Sequence, residues 1–314
     1  MFEIFLATLT PMLVMLACIL IGFALRKTKL VPDNAATVMS KLEVYIFLPA
    51  QVLYIFIANC TVESISTQYP LMLYGTVAVV AAVLLGAPVS RLFAKEENQR
   101  AIYRYGLIFA NCGFLGMSIV PQIMGENGAY AYMLFVLPVY VVLYGWGIGT
   151  LIPSEVGTKD GLLKRLANPT MVAMVAGAIL GLLGAKQLLP GFVITTAQNL
   201  SNCVGPIAMV LTGFVIGGYH LPTLLKNKKV YIITALRLVV LPAILVGVLW
   251  CAGADGLTMM VTMFAFASAL GLNTVVIPAA YGADTTTGAS MALISHVLCV
   301  VTIPVLYALL KQIA

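Results

Sequence analysis

"NCGFLGMSIVPQIMG", Asn111 to Gly125, lies in one of the most apolar parts of the chain. It nevertheless places an asparagine, a cysteine, three glycines, a serine and a proline where an uninterrupted helix would use leucine. A second stretch, "LGLNTVVIPAAYG", Leu270 to Gly282, departs in the same way and ends on the same Pro-x-x-x-Gly. Interrupting a helix inside a bilayer frees amides and carbonyls, which is tolerated only where protein, water or a ligand satisfies them. Glycine permits irregular backbone, proline removes a donor, and Asn, Ser or Thr caps a helix that resumes. The first stretch therefore offers Asn111, Cys112, Gly113, Gly116 and Ser118 as substrate-binding residues. The second offers Gly271, Asn273 and Thr274. Pro121 and Pro278 are expected to break their helices.

The rest of the chain sets these stretches in a membrane. Of 314 residues, 61% are hydrophobic and 9% charged, and the mean hydropathy is +1.04. That leaves too little polar surface for a soluble domain. About 20 apolar residues span a bilayer, and ten such runs are predicted. The first five are Phe5–Leu25, Ala36–Ala58, Leu71–Leu92, Ala101–Met124 and Ala129–Ile152; the others are Pro169–Leu183, Phe192–Gly218, Val230–Ala252, Leu257–Tyr281 and Thr287–Leu310. The apolar N-terminal run has no basic leader or small-x-small cleavage site, so it is read as span 1 rather than a signal peptide.

The net charge of +6 follows the topology, not a nucleic-acid partner. Thirteen of 17 Lys and Arg lie in the first, third, fifth and seventh loops or within a turn of their edges: Arg26, Lys27, Lys29; Arg91, Lys95, Arg100, Arg104; Lys159, Lys164, Arg165; and Lys226, Lys228, Lys229. The positive-inside rule puts these loops in the cytoplasm and both termini outside. The six cysteines are scattered, with no Cys-x-x-Cys or paired histidines, so neither a zinc site nor a disulfide framework is predicted.

Unusual residues recur at a nearly constant offset. Pro11 and Pro169, and Pro32 and Pro190, are 158 apart; Pro49 and Pro206, Pro121 and Pro278, and Gly125 and Gly282 are 157 apart. This register predicts two five-span repeats, 1–157 and 158–314. A unit with an odd number of spans inserts its second copy inverted, an architecture of secondary transporters whose site lies at midplane between broken helices. Asn111 would lie about 15 Å into span 4, near the middle of a core about 30 Å thick. Both resumed half-helices would point positive N-terminal ends inward, which favours an anion.

At these residues the chain resembles the auxin efflux carrier family, which includes plant auxin carriers and bacterial organic-acid permeases. "NCGFLGMSIVPQIMG" is similar to the family's span-4 pattern, and "LNTVVIPAAYG" to its span-9 pattern of Asn followed eight residues later by Tyr-Gly. "RLVVLPAIL", Arg237 to Leu245, resembles the span-8 Arg with proline five residues later; "FLPAQVL" and "NCVGPIAMVL" hold the proline positions Pro49 and Pro206 of spans 2 and 7, which are also expected to break their helices. The resemblance covers essentially the whole chain. It implies a crossed-helix fold in which spans 1, 2, 6 and 7 form a scaffold and spans 3–5 and 8–10 a mobile transport domain. It also implies a homodimer through the scaffold and a bacterial protein of the inner membrane, since the central loop is too short for the regulated loop of many plant members. The family often has proline where Ser118 stands.

Three further residues are electrostatic or coupling candidates. Arg237, deep in span 8, is expected near the substrate or tied to span 4 or 9. Glu43 in span 2 is expected to snorkel or pair with Lys41, and is the leading carboxylate for proton coupling. His296 titrates near neutrality in water but is more often a packing residue in a membrane. Tyr144 and Trp146 either line a site or sit in an outer aromatic belt, with the belt preferred, and Gly177 and Gly181 are assigned to a close-packing face.

Three function classes compete. No Gly-x-Ser-x-Gly or His-Glu-x-x-His supports a membrane enzyme. A cation/proton antiporter of the same fold needs a carboxylate at the crossing, and none of the eleven acidic residues lies within Asn111–Ser118 or Leu270–Ile277. The reading is a secondary transporter of a small organic anion, a carboxylate such as malate or malonate or an auxin-like acid. It needs no cofactor or metal; coupling to protons or sodium stays open, as does a passive anion channel.

Overall fold

The computed structural model describes residues 2–153 and 161–313, so Lys159 of the basic fifth loop lies outside the described residues. The structure is helical throughout. The helices used below are α1 (Phe2–Thr28), α2 (Ala35–Asn59), α3 (Pro70–Phe93), α4 (Glu97–Ile108), α5 (Met117–Val142), α6 (Pro169–Leu182), α7 (Gly191–Gly217), α8 (Lys228–Cys251), α9 (Gly256–Ala267), α10 (Asn273–Ala280) and α11 (Thr286–Ile313). Among the described residues, seven helical stretches are long and apolar enough to cross a bilayer, and α6 and α9 are shorter apolar helices. One of the seven, Glu97–Leu151, runs for 55 residues, too long for a single pass at 1.5 Å per residue. Gly125 resolves this, because its φ of 71° and ψ of −174° turn the chain inside α5. Gly282, 157 residues on, has the same φ of 71°.

Loop ends sort into two faces. Lys27 Nζ donates to Tyr219 O at 3.3 Å, Lys229 Nζ to Phe93 O at 2.9 Å, and Asn98 Nδ2 to Asp284 O at 3.0 Å. These bonds gather the basic ends of α1, α3 and α8 with the turn before α11. At the other face, Tyr54 OH donates to Glu126 Oε1 at 2.9 Å, and Gly181 of α6 abuts the backbone of Phe56 and Cys60. Gly177 packs on Leu53 and Phe56 beside it, so the predicted small-residue face lies between α6 and α2.

The expected helix-breaking prolines act differently from expectation. Pro121, Pro206 and Pro278 lie inside continuous helices. Proline removes the amide that would bond the carbonyl four residues back, which leaves that carbonyl open to another donor. For Pro121 it is Met117 O, which accepts from Gln51 Nε2 at 3.1 Å. Pro49 and Pro242 each follow a wide π turn, Glu43–Phe47 and Leu236–Val240, as the second residue of the resumed α-helix. The true breaks come ahead of Pro121 and Pro278, between α4 and the π turn Cys112–Gly116, and between α9 and α10.

Candidate functional site: a cavity at two crossed helix breaks

The two breaks touch. Asn111 N–H donates to Ala269 O at 2.8 Å, and Gly271 lies against the Asn111 side chain, where a Cβ would sit 3.5 Å from its Cγ. Asn111 Oδ1 caps the resumed helix by accepting from Phe114 N at 3.3 Å. Ahead of it, the amides of Cys112 and Gly113 have no carbonyl partner among the described residues, as the first turn of any helix leaves them, and the Cys112 sulfur lies against both. Across the gap, α10 starts at Asn273. Asn273 does not cap its helix; Leu272 holds that position, and Asn273 Nδ2 donates to Tyr105 OH at 2.8 Å.

Arg237 explains how two opposed breaks can be electrostatically stable together. Each break exposes a C-terminal end, rich in unpaired carbonyls and negative, as well as a positive N-terminal end. Buried at 1% exposure in its π turn, Arg237 takes the carbonyls of both. One guanidinium nitrogen donates to Gly106 O at 2.6 Å and Phe109 O at 3.3 Å; the other donates to Ser268 O and to Ala269 O at 3.0 Å. The planar fork suits this paired task in a way an ammonium does not. Arg237 is thus tied to the ends of α4 and α9 and does not line the cavity. With both negative ends occupied, the two N-terminal ends are left to act on the space between them.

That space is a cavity of about 360 Å³, with Asn111, Cys112, Gly113, Gly271 and Asn273 in its wall. Gly116, Ser118 and Thr274, expected beside them, are elsewhere. Gly116 makes room for Tyr132, whose OH would lie 2.0 Å from a Cβ there. Thr274 is fully buried, its hydroxyl directed back to Gly271 O at 3.4 Å. Ser118 lines a second cavity of about 380 Å³ with Gln51, Gln122, Glu126, Gln198 and Asn202. The first cavity reaches toward the starts of α2 and α6, at Ser40 and Asn168, and the second toward the Tyr54–Glu126 face. They lie on opposite sides of the crossing, separated by the Asn111–Ser118 segment and the Gln51–Met117 bond.

Sequence reasoning missed Tyr105 and Tyr140, and preferred the belt to a site for Tyr144. Tyr105, Tyr140 and Tyr144 all line the first cavity, and the buried Tyr140 OH has no partner among the described residues. Tyr144 is therefore a cavity residue and not part of an outer belt. Trp146 meets Phe109 in a tilted contact with ring centroids 6.2 Å apart, and Arg104 lies over its ring at 5.8 Å, on the α4 side. The signal available was helical spacing, since Tyr140 and Tyr144 are four apart and share a face. The expectation for Glu43 also fails: Lys41 is exposed, Glu43 is fully buried, and the one ion pair among the described residues is Arg26–Asp33. His296 is buried with Nδ1 at 2.8 Å from Ala292 O, packed among Met12, Met15, Ile19 and Met209, away from the first cavity. No group of three or more His, Cys, Asp or Glu forms a metal site among the described residues.

A family model described as a membrane transport protein matches the chain twice, over residues 7–160 and 154–307. The chain belongs to the membrane transport protein family. This is the family of the auxin efflux carriers that the motifs resemble. An uncharacterized transporter of Methanothermobacter thermautotrophicus is 21% identical over 267 residues, covering 83% of this chain and 84% of its own. The family membership and the apolar helices together make this a multi-pass membrane transporter. The crossed breaks are where its fold departs most from regular helix.

Proposed function

We propose that the transporter is a secondary carrier of a small organic anion, working by alternating access. One observation carries the reading: two resumed helix N-termini converge on a cavity of about 360 Å³ that has no Asp or Glu in its wall. A carboxylate there would accept from the amides of Cys112 and Gly113, from Asn273 and from the Tyr140 hydroxyl. The wall is largely phenolic and aliphatic, without Lys or Arg. It suits a single carboxylate on an apolar body, such as an auxin-like acid, at least as well as malate or malonate. A cation/proton antiporter would need at this point the carboxylate that the wall lacks.

In this reading the chain makes ten passes as two inverted repeats, 1–157 and 158–314. The matching φ of Gly125 and Gly282 and the double family match support it. Packing of α1 on α7 and of α2 on α6 supports a scaffold apart from the crossing, and the two cavities would be the two access routes. A pair of copies would meet through the scaffold, at the outward apolar face of α6 formed by Val172, Val175 and Ile179.

The test is uptake into proteoliposomes of labelled malonate, malate and indole-3-acetate, with exchange against unlabelled acid inside to separate a carrier from a channel. Asn273→Ala removes a cavity donor and its bond to Tyr105, worth about 1.4 kcal/mol or roughly tenfold in rate. The Asn111→Ala and Asn273→Ala double variant should stay folded and lose most uptake; wild-type uptake by it would rule this cavity out as the site. Sidedness has its own check. Single cysteines placed at Lys29, Lys226 and Asp284 should all label from the cytoplasm, and labelling of any one from outside would refute the orientation.

A further inference from the structure

Glu43 is fully buried in the π turn of α2, and neither carboxyl oxygen has a hydrogen-bond partner among the described residues. No other acidic side chain among them is buried. π turns inside α-helices often mark functional positions, and this one parallels the π turn that holds Arg237, each closed by Leu-Pro. The surroundings supply no counter-charge. Of the helices packed on the turn, α6 has no titratable residue and α7 only the half-buried Cys203. On α2 itself, Lys41 and Tyr45 are exposed and Tyr54 is bonded to Glu126 near the far face. Yet the carboxyl stands beside the central cavity, because Ser40 and Val44 flanking it and Ala208 on the packed α7 line the wall.

We propose that Glu43 is the proton-coupling group of the carrier, taking up one proton as an anion enters the cavity and releasing it as the anion leaves. This rests on the anion reading above. An ionised Glu43 would put an uncompensated negative charge in a low-dielectric wall beside an anion site, where repulsion is strong. Protonation removes it, so proton and anion each favour the other's binding by the same factor. The proton comes from water on the entry side and returns to water on the exit side; only the O–H bond of the carboxyl is made and broken. Anion affinity is therefore highest with Glu43 protonated. It falls as pH rises through its titration, by about tenfold per pH unit for one linked proton.

The experiment is calorimetric titration of the purified full-length protein with malonate and with indole-3-acetate, in phosphate and in Tris. The difference in heat between buffers counts protons taken up per anion. Wild type should take up as much as one; Glu43→Gln and Glu43→Leu should bind the same acid with little pH dependence and lack that proton. In proteoliposomes an acid-outside gradient should drive accumulation in wild type alone, while folded Glu43→Gln still exchanges anion. Equal proton uptake by wild type and Glu43→Gln would overturn the proposal, and so would zero uptake by wild type between pH 5 and 8, a result that needs no variant. If neither acid, nor malate, binds or is transported by wild type, the anion reading itself has failed, and this inference falls with it.

Discussion

Replacing Arg237 with methionine is expected to destabilise the transporter more than any cavity substitution. Methionine fills similar volume but donates nothing, so the carbonyls of Gly106, Phe109 and Ser268 lose their partner and Ala269 O keeps only the Asn111 amide. Each buried acceptor left unsatisfied costs about 1–3 kcal/mol, though not additively. Breaking a buried charged network in this way typically costs about 3–5 kcal/mol. The measurable result is a fall in Tm on the order of 10 °C in detergent, with uptake lost because the N-terminal ends move apart. Arg237→Lys should fall between, since an ammonium keeps the charge but cannot reach both pairs of carbonyls in one plane. Wild-type Tm in the methionine variant would refute the clamp. A lysine variant with wild-type Tm but no anion binding would instead show that Arg237 meets the substrate directly.

The second large effect is expected at Gly213. Here α7 crosses α1 so closely that a Cβ on Gly213 would lie 1.8 Å from Ile19 O, and one on Gly22 would lie 1.9 Å from Val210 O. Both obstacles are backbone, so no rotamer change relieves them and the helices must separate. Inside a membrane, where close backbone approach drives helix association, that separation forfeits the contact as well as adding strain of about 1–3 kcal/mol. Gly213→Ala should lower Tm measurably, and Gly213→Leu should abolish monodisperse protein on size-exclusion chromatography. Gly247→Ala is the control, because nothing lies within 4 Å of a Cβ there, and it should leave Tm unchanged. If Gly213→Leu and Gly247→Ala behave alike, α1 and α7 do not pack through these glycines.

Gly213 and Gly217 also show where sequence reading stops. They form a Gly-x-x-x-Gly no less regular than Gly177 and Gly181, yet spacing alone does not say which small-residue faces meet a backbone and which meet lipid. The same limit governed the site. Asn111, Gly271 and Asn273 were legible because they break local rules of helix composition, and local rules are what a sequence displays. Gly116, Ser118 and Thr274 break the same rules to make room for Tyr132, to line the opposite cavity, and to turn back on the chain. Tyr105 and Tyr140 break no rule at all, since tyrosine is ordinary in a membrane helix, so nothing in their composition marked them, and for Tyr144 composition did not separate a site from a belt.

By itself the sequence determined the membrane setting, the recurrence at 157–158 residues and the location of both interruptions. Each rests on short-range physics: hydropathy over about 20 residues, and the backbone demands of Gly, Pro and Asn. Only the tertiary structure decided what the interruptions do. It brought Asn111 against Ala269 across the chain, gave the carbonyl ends of both breaks to Arg237, and buried Glu43 without a partner beside the cavity. Those outcomes depend on which carbonyl, hydroxyl or charge a distant helix presents. In a medium without water to satisfy them, polar groups must take the partners that packing provides.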